Sequence, residues 1–398
     1  RSRSAWLAKE LLKDQAKSAM ATFIYACLPA SYLMLIMGGG ATRSLGFLFY
    51  LLTLFFAYRM FTLEQKKYIV ITALFGALTC LSHPESAARA AASAILLFLF
   101  FGRNRRGAVK ALLVAGGVIL LTAPWWAAVI SRHGIAPFLA ATQTGGQKPL
   151  VMLAYLLSML KGMLTESIFL TFLGSMAMLG FFLQLAKKEY FLPVWLLVTL
   201  LVEPRNSSVY LALIVAMLAS IGAVDLIFKV FRELETGLNK TAPINHWTEG
   251  LLSGWMNKIV LTYLVIFSII SSYLSVSELS RTLIVTRSDL EAVEWVNKNV
   301  LPGQSFIFIK AYSIPEWFPI LTHGRSVALV QGQEWQSKDF SALLDISNHL
   351  ELCAEQGKAC LDDWQKESGL SYQYVYFGKW RVNTRDGAAY TSWPLKAS

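Results

Sequence analysis

In 398 residues, 55% are hydrophobic and only 15% are charged, with a formal net charge of +11. Soluble globular chains carry roughly a quarter charged residues, so an ordinary soluble composition is excluded. Residues 1–280 carry 24 Lys/Arg against 12 Asp/Glu, whereas residues 281–398 carry 12 against 13. The positive excess belongs to the apolar part, which argues against nucleic acid as a partner and for charge that sets membrane topology.

Long apolar runs predict nine membrane spans: Met20–Met37, Leu45–Tyr58, Tyr68–Leu81, Ala87–Phe101, Ala111–Ile130, Phe169–Leu185, Phe191–Val202, Val209–Phe228 and Ile259–Leu274. Several are shorter than the roughly 20 residues a helix needs to cross the hydrocarbon, so flanking residues must complete them. Leu150–Leu164 follows Pro149 and is interrupted by Lys161, and reads as a surface or re-entrant run. The expected domains are a multi-span helical part over 1–280 and a water-soluble part over 281–398.

Basic residues divide unequally between the two sets of loops. With the nine spans crossing, residues 1–18, 59–67, 103–110, 187–189 and 229–258 share one side and hold 18 Lys/Arg. The other side holds six, namely Arg43, Arg89, Arg132, Lys148, Lys161 and Arg205. The positive-inside rule puts the richer side in the cytoplasm and the C-terminal domain outside it, in a plasma-membrane-type setting.

That C-terminal domain reads as α/β. Ser288-Asp289-Leu290-Glu291 has a capping-box pattern that predicts a helix over Asp289–Asn299. Strands are expected at Ser305–Lys310, Ser326–Val330 and Tyr372–Phe377, and helices near Phe340–Leu352 and Ala359–Ser368. Cys27 and Cys80 lie in apolar runs and read as inert thiols. Cys353 and Cys360 fall in the soluble domain, where an extracytoplasmic placement predicts a disulfide across a helix end and a turn.

Four polar constellations fall on the less basic side. Gly38-Gly39-Gly40-Ala41-Thr42-Arg43 joins the first two spans: its glycines suit a helix C-cap, while the Arg43 guanidinium can grip a lipid phosphate. In Ser82-His83-Pro84-Glu85 the proline disfavours a helical His83. His83 and Glu85 can then reach a sugar hydroxyl or a divalent metal, or Glu85 simply pairs with Arg89 one turn on. Pro124-Trp125-Trp126 suits an interfacial aromatic belt, followed by a polar loop ending at Lys148, a candidate substrate contact. Glu203-Pro204-Arg205-Asn206-Ser207-Ser208 puts a cation at a helix start, an arrangement that favours an anion over an ordinary hairpin.

Pro204-Arg205, followed by Leu211-Ala212-Leu213 and Ala219-Ser220-Ile221-Gly222, resembles the late outer-loop motif of GT-C glycosyltransferases. These include the protein O-mannosyltransferases and the lipid A aminoarabinose transferases. Gly-Gly-Gly-x-Thr-Arg, Leu-Ser-His-Pro-Glu, the basic loop Arg103–Arg106 and a soluble domain after the last span are similar to bacterial members.

The resemblance implies a multi-span helical core and transfer of a sugar from a polyprenyl-phosphate donor at the outer membrane face. The family's catalytic base is an acidic residue in the first outer loop. It has no counterpart in this sequence and is expected upstream of Arg1. Arg205 and Arg43 are then the expected phosphate ligands, because fixed cations stabilise the charge that develops on the leaving group. His83, Glu85 and Lys148 remain for sugar, acceptor or metal. Two other classes stay open: a transporter or flippase of a lipid-linked or anionic solute, and a non-catalytic membrane anchor for the soluble domain.

Overall fold

The computed structural model describes residues 3–36, 40–143, 171–202, 207–238, 254–281, 285–311, 314–333, 340–378, 380–384 and 387–391. Apolar segments of this kind fold as helices, which satisfy every backbone N–H and C=O within the segment, as crossing a membrane requires. The chain opens with α1 (Arg3–Leu12), α2 (Gln15–Cys27), a 3₁₀ turn at Pro29–Ser31 and a short α3 (Leu33–Ile36). There follow α4 (Gly40–Thr62), α5 (Lys67–Ser82), α6 (Pro84–Phe101), α7 (Arg105–His133) and α8 (Ala136–Gln143). The helical part continues with α9 (Thr171–Ala186), α10 (Phe191–Val202), α11 (Ser208–Gly222), a π turn at Ala223–Ile227, α12 (Phe228–Leu238) and α13 (Trp255–Arg281).

Among the described residues, five helices are long and apolar enough to cross a membrane: Ala41–Thr62, Pro84–Phe101, Arg105–His133, Ser208–Phe231 and Asn257–Ser277. Lys67–Ser82, Leu173–Ala186 and Phe191–Val202 are apolar but shorter. The expected first span, Met20–Met37, is not one helix. Leu28 is extended (φ −83°, ψ 120°) and Pro29 follows it, so the chain breaks into α2, the 3₁₀ turn and α3. Proline at position 29 disfavours a helical residue before it, which places the break. The Leu150–Leu164 run lies outside the described residues.

Two compact units emerge. The first comprises residues 1–132 and 146–277, the second 133–145 and 278–398. α11 is the hub of the first unit, its residues from Val209 to Gly222 all buried. A helix that is apolar all round belongs in such a place. It meets α9 at backbone distance: a Cβ on Gly180 would lie 1.8 Å from the Leu218 carbonyl oxygen, and one on Gly222 would lie 2.1 Å from that of Met176. Small residues permit this approach, which carries helix association where water cannot drive it.

The second unit holds α14 (Arg287–Asn299), β1 (Ser305–Ile309), α15 (Ile314–Thr322), β2 (Arg325–Ser326), α16 (Phe340–Gln356), α17 (Lys358–Ser368) and β3 (Tyr374–Phe377). It ends with an antiparallel pair, β4 (Trp380–Thr384) and β5 (Gly387–Thr391). The three-stranded sheet runs β2-β1-β3, both neighbours parallel to β1. One face, Phe306 and Phe308, packs on α14 and α15 through Val293, Val296 and Phe318. The other, Ile307 and Ile309, packs on α16 and α17 through Leu350, Ala354 and Trp364.

Two expectations for this unit change. The capping box sits two residues earlier, between Thr286 and Asp289, because the Thr286 hydroxyl accepts from the Asp289 amide while Asp289 accepts from the Thr286 amide. The Ser326–Val330 strand reduces to Arg325–Ser326, since Ala328 takes a left-handed φ of 59° that no strand tolerates. α15 and the β4–β5 pair had no expectation at all. Cys353 and Cys360 form a disulfide, with Cα atoms 5.3 Å apart.

Candidate functional site

The turn between α5 and α6 is built by the order of its residues. His83 is extended (φ −156°, ψ 112°) and caps α6, its ring nitrogen Nδ1 accepting from the Ser86 amide at 3.3 Å. Pro84 takes the first helical position, where its missing N–H costs nothing. Glu85 falls in the first turn, where the helix dipole favours a negative charge.

Gly46 of α4 lets this turn close. A Cβ there would stand 2.5 Å from His83 Cβ and 2.8 Å from Ser86 Oγ. Only glycine admits such a contact, so the first turns of α4 press directly on the cap of α6. Arg43, one turn before Gly46, acts electrostatically on His83 and on Tyr210. Tyr210 enters from the start of α11, its hydroxyl 2.6 Å from Ser86 Oγ, which in turn lies 3.2 Å from His83 Nδ1. Arg43 and His83–Glu85 therefore share one neighbourhood, which Tyr210 of α11 joins.

Arg89 forms the floor of this cluster and is 1% exposed. Its Nε and Nη2 donate to Glu85 Oε1 at 3.3 and 3.0 Å, and its Nη1 donates to the Thr199 carbonyl of α10 at 2.9 Å. The guanidinium also lies over the Tyr210 ring. Deeper still, Ser93 Oγ accepts from Trp195 Nε1 at 2.9 Å and meets the Tyr50 hydroxyl at 3.3 Å. Tyr50 and Tyr210 pack edge to face, 5.1 Å between centroids. Such a network binds α4, α6, α10 and α11 into one rigid support, since buried polar groups are costly unless satisfied.

These contacts decide between the two readings of Ser-His-Pro-Glu for one residue. Glu85 pairs with Arg89, the simpler alternative the spacing offered. Arg89 holds Oε1 of Glu85, and Nδ1 of His83 accepts from Ser86, so both side chains already serve in the protein's own network. Among the described residues the one three-ligand group is His349, Cys353 and Cys360, and its two sulfurs are joined to each other. With Nδ1 accepting, the proton of the neutral His83 ring sits on Nε2. Burial depresses the His83 pKa, Glu85 opposes that shift, and Arg43 and Arg89 reinforce it. Arg205 and Lys148 lie outside the described residues.

Sequence reasoning named Arg89 only as a partner for Glu85 and missed Tyr210, Tyr50, Ser93 and Trp195 as members of the same cluster. Arg89 had a signal of its own: an ionisable side chain two residues into an apolar run. The four aromatic and hydroxyl residues had none, because each is common in apolar helices.

At the other end of these helices the groups are charged and mostly basic. Asp225, in the π turn, takes Lys17 of α2 at 2.7 Å and Lys187, just after α9, at 2.7 Å. Arg59 pairs with Glu10, and Arg106 with Glu64 at 3.2 Å. The bundle thus has one end of lysine and arginine ion pairs and one of aromatic hydroxyls, a histidine and Arg43. No known protein family matches this chain, and no curated protein does.

Proposed function

We propose that the chain is an integral-membrane glycosyltransferase of the GT-C type, taking its sugar from a polyprenyl-phosphate donor at the non-cytoplasmic face. One observation carries the reading: Arg43 and His83 lie at the end of the bundle where α11 begins, three residues after Arg205 in sequence. As the glycosidic bond breaks, charge gathers on the carrier phosphate. Arg43 and Arg205 are the cations assigned to stabilise it, and the N–H groups at the head of α11 add partial positive charge. His83 offers a neutral Nε2–H donor to the same group or to a sugar hydroxyl. Glu85 and Arg89 hold the platform and do not touch substrate. Lys148 enters the reading as a polar loop residue on the same side by the charge count.

The test is transfer from a polyprenyl-phosphate sugar donor by purified protein in lipid. Arg205→Lys loses the bidentate geometry and Arg205→Ala loses the charge as well. A charge-assisted contact contributes about 1.5–3 kcal/mol, so the rate should fall roughly ten- to a hundred-fold in Arg205→Ala, less in Arg205→Lys, with melting temperature unchanged. Equal rates in all three proteins would remove Arg205 from the reaction. The broken first span supports a second reading, a transporter of a lipid-linked or anionic solute, because discontinuous helices build midplane sites in that class. Donor-dependent uptake into vesicles with no glycosidic cleavage would favour it.

A further inference from the structure

The geometry points to a small-molecule site in the second unit, for an uncharged or amine-bearing sugar. It rests on the described residues of that unit alone and is independent of the reading of Arg205. β1 is the central strand of a parallel sheet, and the helices after β1 and β2 go to opposite faces. α15 covers the Phe306/Phe308 face and α16 the Ile307/Ile309 face. The chain therefore parts at the carboxyl ends of β1 and β2. Open α/β sheets bind ligands in the crevice such a parting leaves.

A cavity of about 500 Å³ lies there, lined by Lys310 at the end of β1, Glu316 of α15, Val327 to Gln331 after β2, and Ser347 and Glu351 of α16. That volume falls within the roughly 300–1,000 Å³ of small-molecule sites. Two of the residues lining it hold left-handed backbone without being glycine, Lys310 at φ 52° and Ala328 at φ 59°. Strain of this kind persists only where surrounding contacts enforce it, and it gathers at ligand sites. At Lys310 the enforcing contacts are visible: its amide donates to both carboxylate oxygens of Glu351, at 3.0 and 3.1 Å. Gly378 also closes from behind, where a Cβ would meet the Lys310 carbonyl oxygen at 2.1 Å.

Charge and polarity select the ligand class. One lysine faces two glutamates, and the lysine ammonium already lies 3.7 Å from Glu351. An anion such as phosphate would meet a net negative wall, a juxtaposition that suppresses binding. A wholly apolar ligand would strip water from Lys310, Glu316 and Glu351 and return no hydrogen bond. A sugar satisfies both walls: its hydroxyls give and accept at Glu316, Glu351, Gln331 and Ser347, and its C–H face lies on Val327, Leu329 and Leu350. An amine on the sugar adds attraction to the excess carboxylate.

The full chain in detergent, observed by saturation-transfer NMR with D-glucose, D-glucosamine and glucose 6-phosphate as probes, tests this. Glucosamine should bind best, glucose more weakly, and glucose 6-phosphate not at all. Ser347→Trp, which plugs the cavity, and Glu316→Gln, at an exposed position that folding does not need, should weaken glucosamine binding, the first by roughly tenfold or more. Arg205→Ala should leave it unchanged, so failure here and failure of the transferase reading are told apart. Absence of binding by both uncharged and amino sugar, stronger binding of the phosphate ester, or full binding in both variants would overturn the proposal.

Discussion

The Arg89 guanidinium lies over the Tyr210 ring, its Cζ 4.4 Å from the centroid, and so ties α6 to the first turns of α11. Cation–π attraction strengthens when both partners are desolvated, as here. The same guanidinium is bonded to Glu85 and to the Thr199 carbonyl, so removing it strands an acceptor on each side. Arg89→Met should cost about 3–5 kcal/mol, the range for breaking a buried charge pair from one side. Thermal unfolding of the purified protein checks this, with Arg89→Lys expected to lose less because it keeps the charge.

His83 gives the site a pH dependence of definite sign. Its folded pKa is depressed, chiefly by burial, so the neutral ring contributes stability that is fully present above the unfolded value near 6.5. Below that value the unfolded chain binds the proton more readily, and the stability is lost as pH falls toward the folded pKa. Melting temperature should therefore drop as pH falls below about 6.5. His83→Asn keeps a capping side chain and should flatten that part of the profile; an unchanged slope would mean His83 does not titrate in this window.

Asp225 braces the opposite end by holding Lys17 and Lys187 together. Asp225→Asn removes two charge-assisted bonds and leaves two lysines facing a neutral amide. The expected loss is about 1–3 kcal/mol, since these side chains remain partly in water. Rising salt should narrow the gap between wild type and variant, and a salt-independent gap would assign the effect to packing.

The Cys353–Cys360 bridge closes a short loop between α16 and α17 and should contribute about 2–3 kcal/mol. Its persistence requires an oxidising compartment. In cells alkylated before lysis and without reduction, mass spectrometry should find both residues unmodified and linked. Alkylation of either would place the second unit in a reducing compartment and reverse the charge-based topology.

Apolar run length decided most of the helices, because a run of apolar residues in lipid has one way to satisfy its backbone. α4, α5, α6, α10 and α11 each begin within a few residues of where the pattern breaks. β1 and β3 were legible for a related reason, as short β-branched and aromatic runs between turn residues. What tertiary structure alone decided is which of those segments touch. Gly46 reads as a weak spot in a helix until His83 is seen against it, and Glu85 has two equal readings until Arg89 is seen buried beside it. The same holds for Ala328, whose left-handed backbone ends a promising strand for the sake of a cavity. Local pattern reports what each segment buries, whereas close approach and buried polar pairing also depend on partners far along the chain, as Ser86 does on Tyr210 and Ser93 on Trp195.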